Sequence, residues 1–303
     1  MKKLIIVGDD LAKKIASAIG VQFVAVEERV FPDGEIKPRL KISKEIEAKT
    51  TILILRKKEK EDINRYLVKF LLLGRKLKDC SKKTIGIMPY LPYARQDKVF
   101  RPGEPFSAGY WAELLEKTFD IFVTVNMHEH RRKINQIFSI PAYNLSIFEG
   151  VAEHLNSRLS QAEKNKIMLI GPDKEAERFV DDFRKGLPLD FLILEKKRNI
   201  RTGKVSFRSP KINLNGREAL IVDDVASSAK TLIKAAELIK KQGALRISFV
   251  ICHGLFVEGA LNSLKKMKPR RLIVSDTIIN PAANYDIAPL VANFLKNNKQ
   301  LIN

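Results

Sequence analysis

The sequence predicts an α/β protein of two domains, each built on a central, mostly parallel sheet flanked by helices. Three observations carry that expectation. Short apolar runs alternate with helical patterns in two successive rounds, the alternation that right-handed β-α-β winding produces. The rounds are separated by a break near Ile140 to Leu145, which places the domains at 1–145 and 146–303. A chain of 303 residues is also long enough for two cores of ordinary size.

Leu4 to Val7 reads as the first strand, and Leu11 to Ile19 as a helix stopped by Gly20. A strand near Phe23 to Val26 follows, then a turn at Phe31-Pro32-Asp33-Gly34-Glu35 whose Pro and Gly set the backbone. Ile52 to Leu55 is strand-like, Ile63 to Leu77 is an amphipathic helix carrying Leu67, Phe70, Leu71 and Gly74, and Thr84 to Met88 is again a strand. Pro89, Pro92, Pro102 and Pro105, with Arg95, Lys98 and Arg101 between them, forbid a long regular element. An irregular stretch of that length in a compact domain is usually a lid or binding loop. A helix from Ser107 to Thr118, burying Trp111, Leu114 and Leu115, leads to the strand Ile121 to Val125, which delivers Asn126-Met127-His128.

Past Pro141 the pattern restarts. Helix Ser146 to Leu159, strand Ile167 to Ile170, helix Lys174 to Phe183 and strand Phe191 to Leu194 come first. The apolar run Ala219 to Val222 then meets a small-residue turn and a helix carrying Leu232, Ile233, Ala236 and Ile239. A strand at Ile247 to Cys252, a helix at Glu258 to Leu264, a strand at Arg271 to Val274 and a helix near Ile287 to Lys296 close the reading.

Composition narrows the function classes. The longest apolar runs are strand-length, so no segment is expected to span a bilayer. The first residues meet Asp9 and Asp10 too soon for a signal peptide, and Cys80 and Cys252 lack metal or disulfide spacing, so a cytoplasmic protein with reduced thiols is expected. Lys and Arg number 55 against 35 Asp and Glu, a formal charge of +20 that attracts polyanions. The cations are spread along the chain and no nucleic-acid-binding spacing accompanies them, so phosphorylated metabolites are the expected partners and nucleic acid would bind only nonspecifically.

The chemistry centres on Glu218 to Lys240. Asp223 and Asp224 stand at the carboxyl end of the predicted strand, where open α/β sheets bind their ligands. The turn Ala226-Ser227-Ser228-Ala229 presents N–H groups at a helix N-terminus, which favours an anion such as phosphate. The acids are therefore expected to face sugar hydroxyls or a metal, and the turn a phosphate.

This stretch resembles the phosphoribosyl-diphosphate loop of phosphoribosyltransferases and of ribose-phosphate pyrophosphokinases, which runs two acids, three residues, Thr or Ser, two glycines and Thr. Here Asp223, Asp224, Ser227, Ser228 and Thr231 are in place, and Ala229 and Lys230 replace both glycines. Tyr93-Ala-Arg-Gln-Asp-Lys98 matches the nucleotide-binding loop of the pyrophosphokinases, and Phe31 to Glu35 their adenine-recognition turn. The resemblance covers essentially the whole chain and is nearest the archaeal-type branch. It implies two phosphoribosyltransferase-like domains and the conversion of ATP and ribose 5-phosphate to 5-phosphoribosyl diphosphate and AMP. It further implies ATP-binding at Phe31, Asp33, Glu35, Arg95, Gln96 and Asp97, with the adenine turn serving a neighbouring subunit of a homo-oligomer. Ribose-phosphate binding falls on Asp223, Asp224, Ser227, Ser228, Ala229, Lys230 and Thr231, a catalytic pair on Lys196 and Arg198, and Mg²⁺ on His128 and Asp173. A non-catalytic regulatory paralogue or a phosphoribosyltransferase would share part of this pattern.

Overall fold

The computed structural model describes residues 2–129, 131–198, 205–208 and 212–302, with the backbone alone at 2–3, 196–198 and 205–208. The chain forms two compact units, Met1–Leu145 together with Ile287–Asn303, and Ser146–Asp286. The first boundary coincides with the break in the sequence pattern. At the other end the division differs from the expected 146–303, because the helix Ala288–Asn297 packs on Asp10–Ile19 of the first unit.

In the first unit, β1 (Lys2–Gly8), β2 (Gln22–Val30), β3 (Ile36–Leu40), β4 (Ala48–Ile54), β5 (Ser81–Ile87), β6 (Ile121–Val125) and β7 (Ala142–Leu145) form a seven-stranded sheet of order β3-β2-β1-β4-β5-β6-β7. All neighbours are parallel except β2 and β3, a hairpin whose tip is the Phe31 to Glu35 turn. Helices α1 (Asp10–Ile19), α2 (Ile63–Cys80) and α3 (Ser107–Glu116) cover it. Asp9 caps α1 by accepting the Leu11 N–H at 2.9 Å, and Gly20 ends it at φ 73°, as the sequence indicates. Ile5, Val7, Leu53, Tyr66, Phe70, Phe119 and Phe122 form the core, and a side chain of this kind contributes about 1.5–3 kcal/mol when fully buried. Leu114, expected inside, is 43% exposed; Leu115 is the buried neighbour.

The second unit holds α4 (Phe148–Asn156), β8 (Ile167–Gly171), α5 (Glu177–Gly186), β9 (Asp190–Ile193), the hairpin β10 (Glu195–Arg198) and β11 (Val205–Arg208), β12 (Glu218–Ala226), α6 (Lys230–Lys241), β13 (Arg246–Gly254), α7 (Ala260–Lys266) and β14 (Arg271–Val274). Its sheet is parallel throughout, in the order β9-β8-β12-β13-β14. Ile221, Phe249 and Ile251 pack on Leu232, Ala236 and Ile239 of α6. Two departures from the sequence reading bear on the site. β12 runs through both acids to Ala226, and α7 starts at Ala260 because Glu258 lies at φ 54°.

Each sheet reverses its direction of growth once, between β1 and β4 in the first unit and between β8 and β12 in the second. Ligands of open α/β sheets bind in such crevices. In the first unit the crevice is filled by charge from the chain itself. Arg56, its side chain 4% exposed, donates from Nε to Asp9 Oδ2 at 3.1 Å and pairs with Asp10. Gly8 makes this approach possible: at φ 153°, a Cβ there would lie 1.8 Å from the Ile54 carbonyl oxygen. In the second unit Asp173 follows β8 and Asp223 stands near the carboxyl end of β12, the two strands that flank the crevice.

Candidate active site

The first unit gathers one group of the expected residues at the carboxyl ends of β5 and β6. These strands are paired through Ile85 with Ile121 and Ile87 with Val123, and the Val125 N–H donates to the Pro89 carbonyl at 3.2 Å, so the proline-rich loop and His128 leave the sheet side by side. The loop has no long regular element, as its prolines require. Tyr93 stands at φ 62°, its ring 5.8 Å from that of Trp111 and its hydroxyl donating to Asn64 Oδ1 at 2.6 Å. Arg95 and Lys98 are exposed.

Two of the residues assigned to ATP by resemblance use their side chains within the protein. Gln96 Oε1 accepts from the Ser107 hydroxyl at 2.5 Å. Asp97 is fully buried and accepts from Arg131 twice, from the backbone N–H at 3.2 Å and from Nη1 at 3.0 Å. The Arg131 contact was not legible beforehand, since Arg131 is one cation in the run Arg131 to Lys133 and no spacing singles it out. His128 is half-buried at the end of β6, after Asn126 at φ 39°.

Phe31, Asp33 and Glu35 are not brought to this group within the unit. They occupy the tip of the β2–β3 hairpin, and β1 and β4 lie between it and β5 in the sheet. The Arg29 guanidinium lies 5.0 Å from the centre of the Phe31 ring, and Asp33 Oδ1 accepts the Glu35 N–H at 3.1 Å.

The second unit gathers Asp173, Asp223, Asp224 and the turn to Thr231. Asp173 caps a single 3₁₀ turn, Lys174–Ala176, by accepting the Glu175 N–H at 3.0 Å. Because β12 continues through the acids, their side chains go to opposite faces. Asp224 is buried, while Asp223 is half-buried and accepts the Asp224 N–H at 3.0 Å. Burial pushes the Cys252 thiol well above its ordinary range, and the nearby Asp224 carboxylate adds to this. On the neighbouring strand His253 is buried and shares a 2.9 Å hydrogen bond with Thr277 Oγ1.

Ser227 and Ser228 are half-buried, and Ala229 precedes α6 in the left-handed conformation, at φ 54° and ψ 11°. No side chain caps α6, and its first backbone bond runs from the Ile233 N–H to the Ala229 carbonyl at 2.9 Å. The N–H groups ahead of that bond have no partner inside the helix, the arrangement that accepts an anion. Of the two residues standing for glycines, only Ala229 has a conformation that favours glycine. Lys230 opens the helix, and its ammonium is 3.2 Å from Glu258.

Lys196 and Arg198, expected on a loop after a strand, belong to β10, where Lys196 pairs with Phe207 and Arg198 with Val205 across an antiparallel hairpin. Their side chains lie outside the described residues.

Residues 7–118 match the N-terminal domain of ribose phosphate pyrophosphokinase, and residues 141–281 the phosphoribosyl transferase domain. The ribose-phosphate pyrophosphokinase of Pyrococcus furiosus is 31% identical, over 89% of this chain and 92% of its own. That of Methanothermobacter thermautotrophicus is 31% identical over 94% and 96%, and that of Methanopyrus kandleri 29% over 96% of each. The crystal structure of phosphoribosylpyrophosphate synthetase from Mycobacterium smegmatis superposes with a TM-score of 0.83 over 99% of both chains at 24% identity, which shows the shared fold. The chain belongs to the ribose-phosphate pyrophosphokinase family.

Proposed function

We infer that this protein transfers the pyrophosphoryl group of ATP to ribose 5-phosphate. The anomeric oxygen bonds to the β-phosphorus as the bond to the α-phosphate bridging oxygen breaks, AMP leaves with that oxygen, and the hydroxyl proton passes to solvent. The observation that carries the reading is the similarity to named pyrophosphokinases over nearly the whole chain, at 31% identity. The nucleotide loop and the ribose-phosphate turn both sit at carboxyl ends of parallel strands, which supports it.

In this reading Arg95 and Gln96 meet the polyphosphate, and Asp97 acts by fixing the loop. Phe31, Asp33 and Glu35 at the exposed hairpin serve the adenine of a neighbouring subunit in a homo-oligomer. Asp223 and Asp224 hold the ribose hydroxyls, and Ser227 to Thr231 the 5-phosphate. Lys196 and Arg198 offset charge that develops as the leaving nucleotide separates, where fixed cations contribute most.

The donor set suits magnesium. Among the described residues no group of three or more His, Cys, Asp and Glu side chains could hold a metal ion. Mg²⁺ keeps several waters and takes substrate phosphate oxygens, so His128 and Asp173 need supply only one or two donors. When bound, it would neutralise the triphosphate. Among the described residues no helix is long and apolar enough to cross a membrane.

Measuring AMP release with and without ribose 5-phosphate tests the assignment. Release that requires the sugar phosphate is expected. Binding of both substrates without turnover would replace it with the regulatory-paralogue reading, which the left-handed Ala229 in the phosphate turn favours.

A further inference from the structure

We propose that Arg131 is a further polyphosphate-binding residue of the nucleotide site, positioned for that task by the buried carboxylate of Asp97. The proposal rests on the nucleotide reading of the loop Pro89 to Pro105 and adds to it a residue from outside the loop.

Asp97 holds both ends of Arg131. One carboxylate oxygen takes the backbone N–H at 3.2 Å and the other takes Nη1 at 3.0 Å, with Asp97 at 0% and the Arg131 side chain at 37% exposure. The pair thus has one partner in the interior and one at the surface. Among the described residues, no protein acceptor takes the Nε–H or the Nη2 amine of Arg131. Those groups form one edge of a planar fork, the geometry that receives a phosphate through two parallel hydrogen bonds.

A second observation concerns what surrounds it. The Arg131 guanidinium is 5.2 Å from the centre of the Phe100 ring, and the Lys98 ammonium is also 5.2 Å from the same ring. Phe100 is 50% exposed. The next residue, Arg132, places its guanidinium 5.0 Å from the ring of Phe106, which follows the loop and precedes α3. Collecting cations around neighbouring rings brings like charges together, which is unfavourable unless an anion lies among them. A charge fixed beforehand by a buried partner also loses less freedom on binding than a solvated lysine does. The ligand that fits is a polyphosphate, so the residue should separate ATP from AMP.

Asp97 and Arg131 could instead be a clamp with no part in binding, since a buried carboxylate requires a partner in any case. The two roles give different results. ATP and AMP would be titrated calorimetrically, with Mg²⁺ present, into the wild type, Arg131→Lys, Arg131→Ala and the double variant Asp97→Asn/Arg131→Gln, each checked by thermal unfolding. The double variant removes the guanidinium without leaving a lone buried charge, so it remains informative if Arg131→Ala does not fold. ATP affinity is expected to fall about tenfold or more in the charge-removing variants, the loss of a charge-assisted hydrogen bond, with AMP much less affected. Arg131→Lys should fall between. Equal weakening of ATP and AMP, or no change in a folded variant, would leave Arg131 as a clamp and overturn the proposal. A wild type that binds neither nucleotide would instead overturn the nucleotide reading on which it rests.

Discussion

The Lys230 ammonium stands 3.2 Å from the Glu258 carboxylate, joining the first turn of α6 to the loop that follows β13. A cation at a helix N-terminus opposes the macrodipole, and Glu258 offsets that charge. With both side chains more than 60% exposed, the pair itself contributes little to folding, about 0–1 kcal/mol. Its effect falls on the anion site. Glu258→Gln should leave thermal unfolding nearly unchanged and tighten ribose 5-phosphate binding severalfold, with steeper salt dependence; Lys230→Gln should weaken it. Calorimetry at low and physiological salt checks this, and unchanged affinity in both variants would remove Lys230 from the phosphate site.

Ala229 holds a left-handed backbone and a buried methyl group at once. Ala229→Gly would relieve about 1–2 kcal/mol of backbone strain. It would also lose about 0.8 kcal/mol of methyl burial and give the unfolded chain about 0.4–1 kcal/mol more freedom. The terms nearly cancel, so the melting temperature should move little in either direction. A large drop would mean that the methyl packs better than its burial implies.

Glu218 begins β12, at the end opposite the candidate site. It is 3% exposed and accepts from Arg270 Nη1 at 2.8 Å, Arg271 Nη1 at 2.5 Å and the Ser248 hydroxyl at 2.5 Å. Burial alone would raise its pKa, but the hydrogen bonds from Arg271 and Ser248 and the two guanidinium charges outweigh burial and hold it below the ordinary carboxylate range. A depressed folded pKa contributes stability above the unfolded value of about 4.3 and loses it as pH falls through the folded value. Glu218→Ala should cost about 1–3 kcal/mol because it removes the main partner of Arg271 and the acceptor of the Ser248 hydroxyl, while Arg270 keeps Glu163 at 2.8 Å. The stability gap between wild type and Glu218→Gln should shrink on acidification below about pH 4; a gap independent of pH would show that shape rather than charge sets it.

Replacing Lys196 or Arg198 by Ala should lower kcat by about 10² or more with little change in nucleotide affinity, as loss of a transition-state donor does. Steady-state kinetics separate this from a change confined to KM, which would mark the two as binding residues.

If the Phe31 hairpin completes a neighbour's adenine site, Phe31→Ala and Arg198→Ala chains mixed in one oligomer should recover part of the activity that each lacks alone. The idea is falsified if verified mixed oligomers recover none.

Much of this was legible in the sequence because it rests on local physics. Gly20 stops α1 where a left-handed residue is needed, the prolines break the loop after β5, and the apolar runs of β6 and β13 mark buried parallel strands. What was not legible depends on partners distant in sequence. Asp97 lies 34 positions from Arg131, and nothing in a six-residue motif says which of its polar members turns inward. The extent of β12 is hidden in the sequence for a related reason. Two acids look like the end of a strand, yet the backbone stays paired through them, Asp223 with Ile251 and Val225 with His253, and so sends them to opposite faces.

The return of the helix Ala288–Asn297 to the first unit has a consequence for the order in which the protein can be made. On the ribosome, Met1–Leu145 emerges early but lacks the helix that packs on α1 until residues 288–297 have been synthesised, whereas Ser146–Asp286 can complete its own core sooner. The unit translated first is therefore finished after the other, and the surface of α1 on which the helix Ala288–Asn297 packs stays uncovered during that interval.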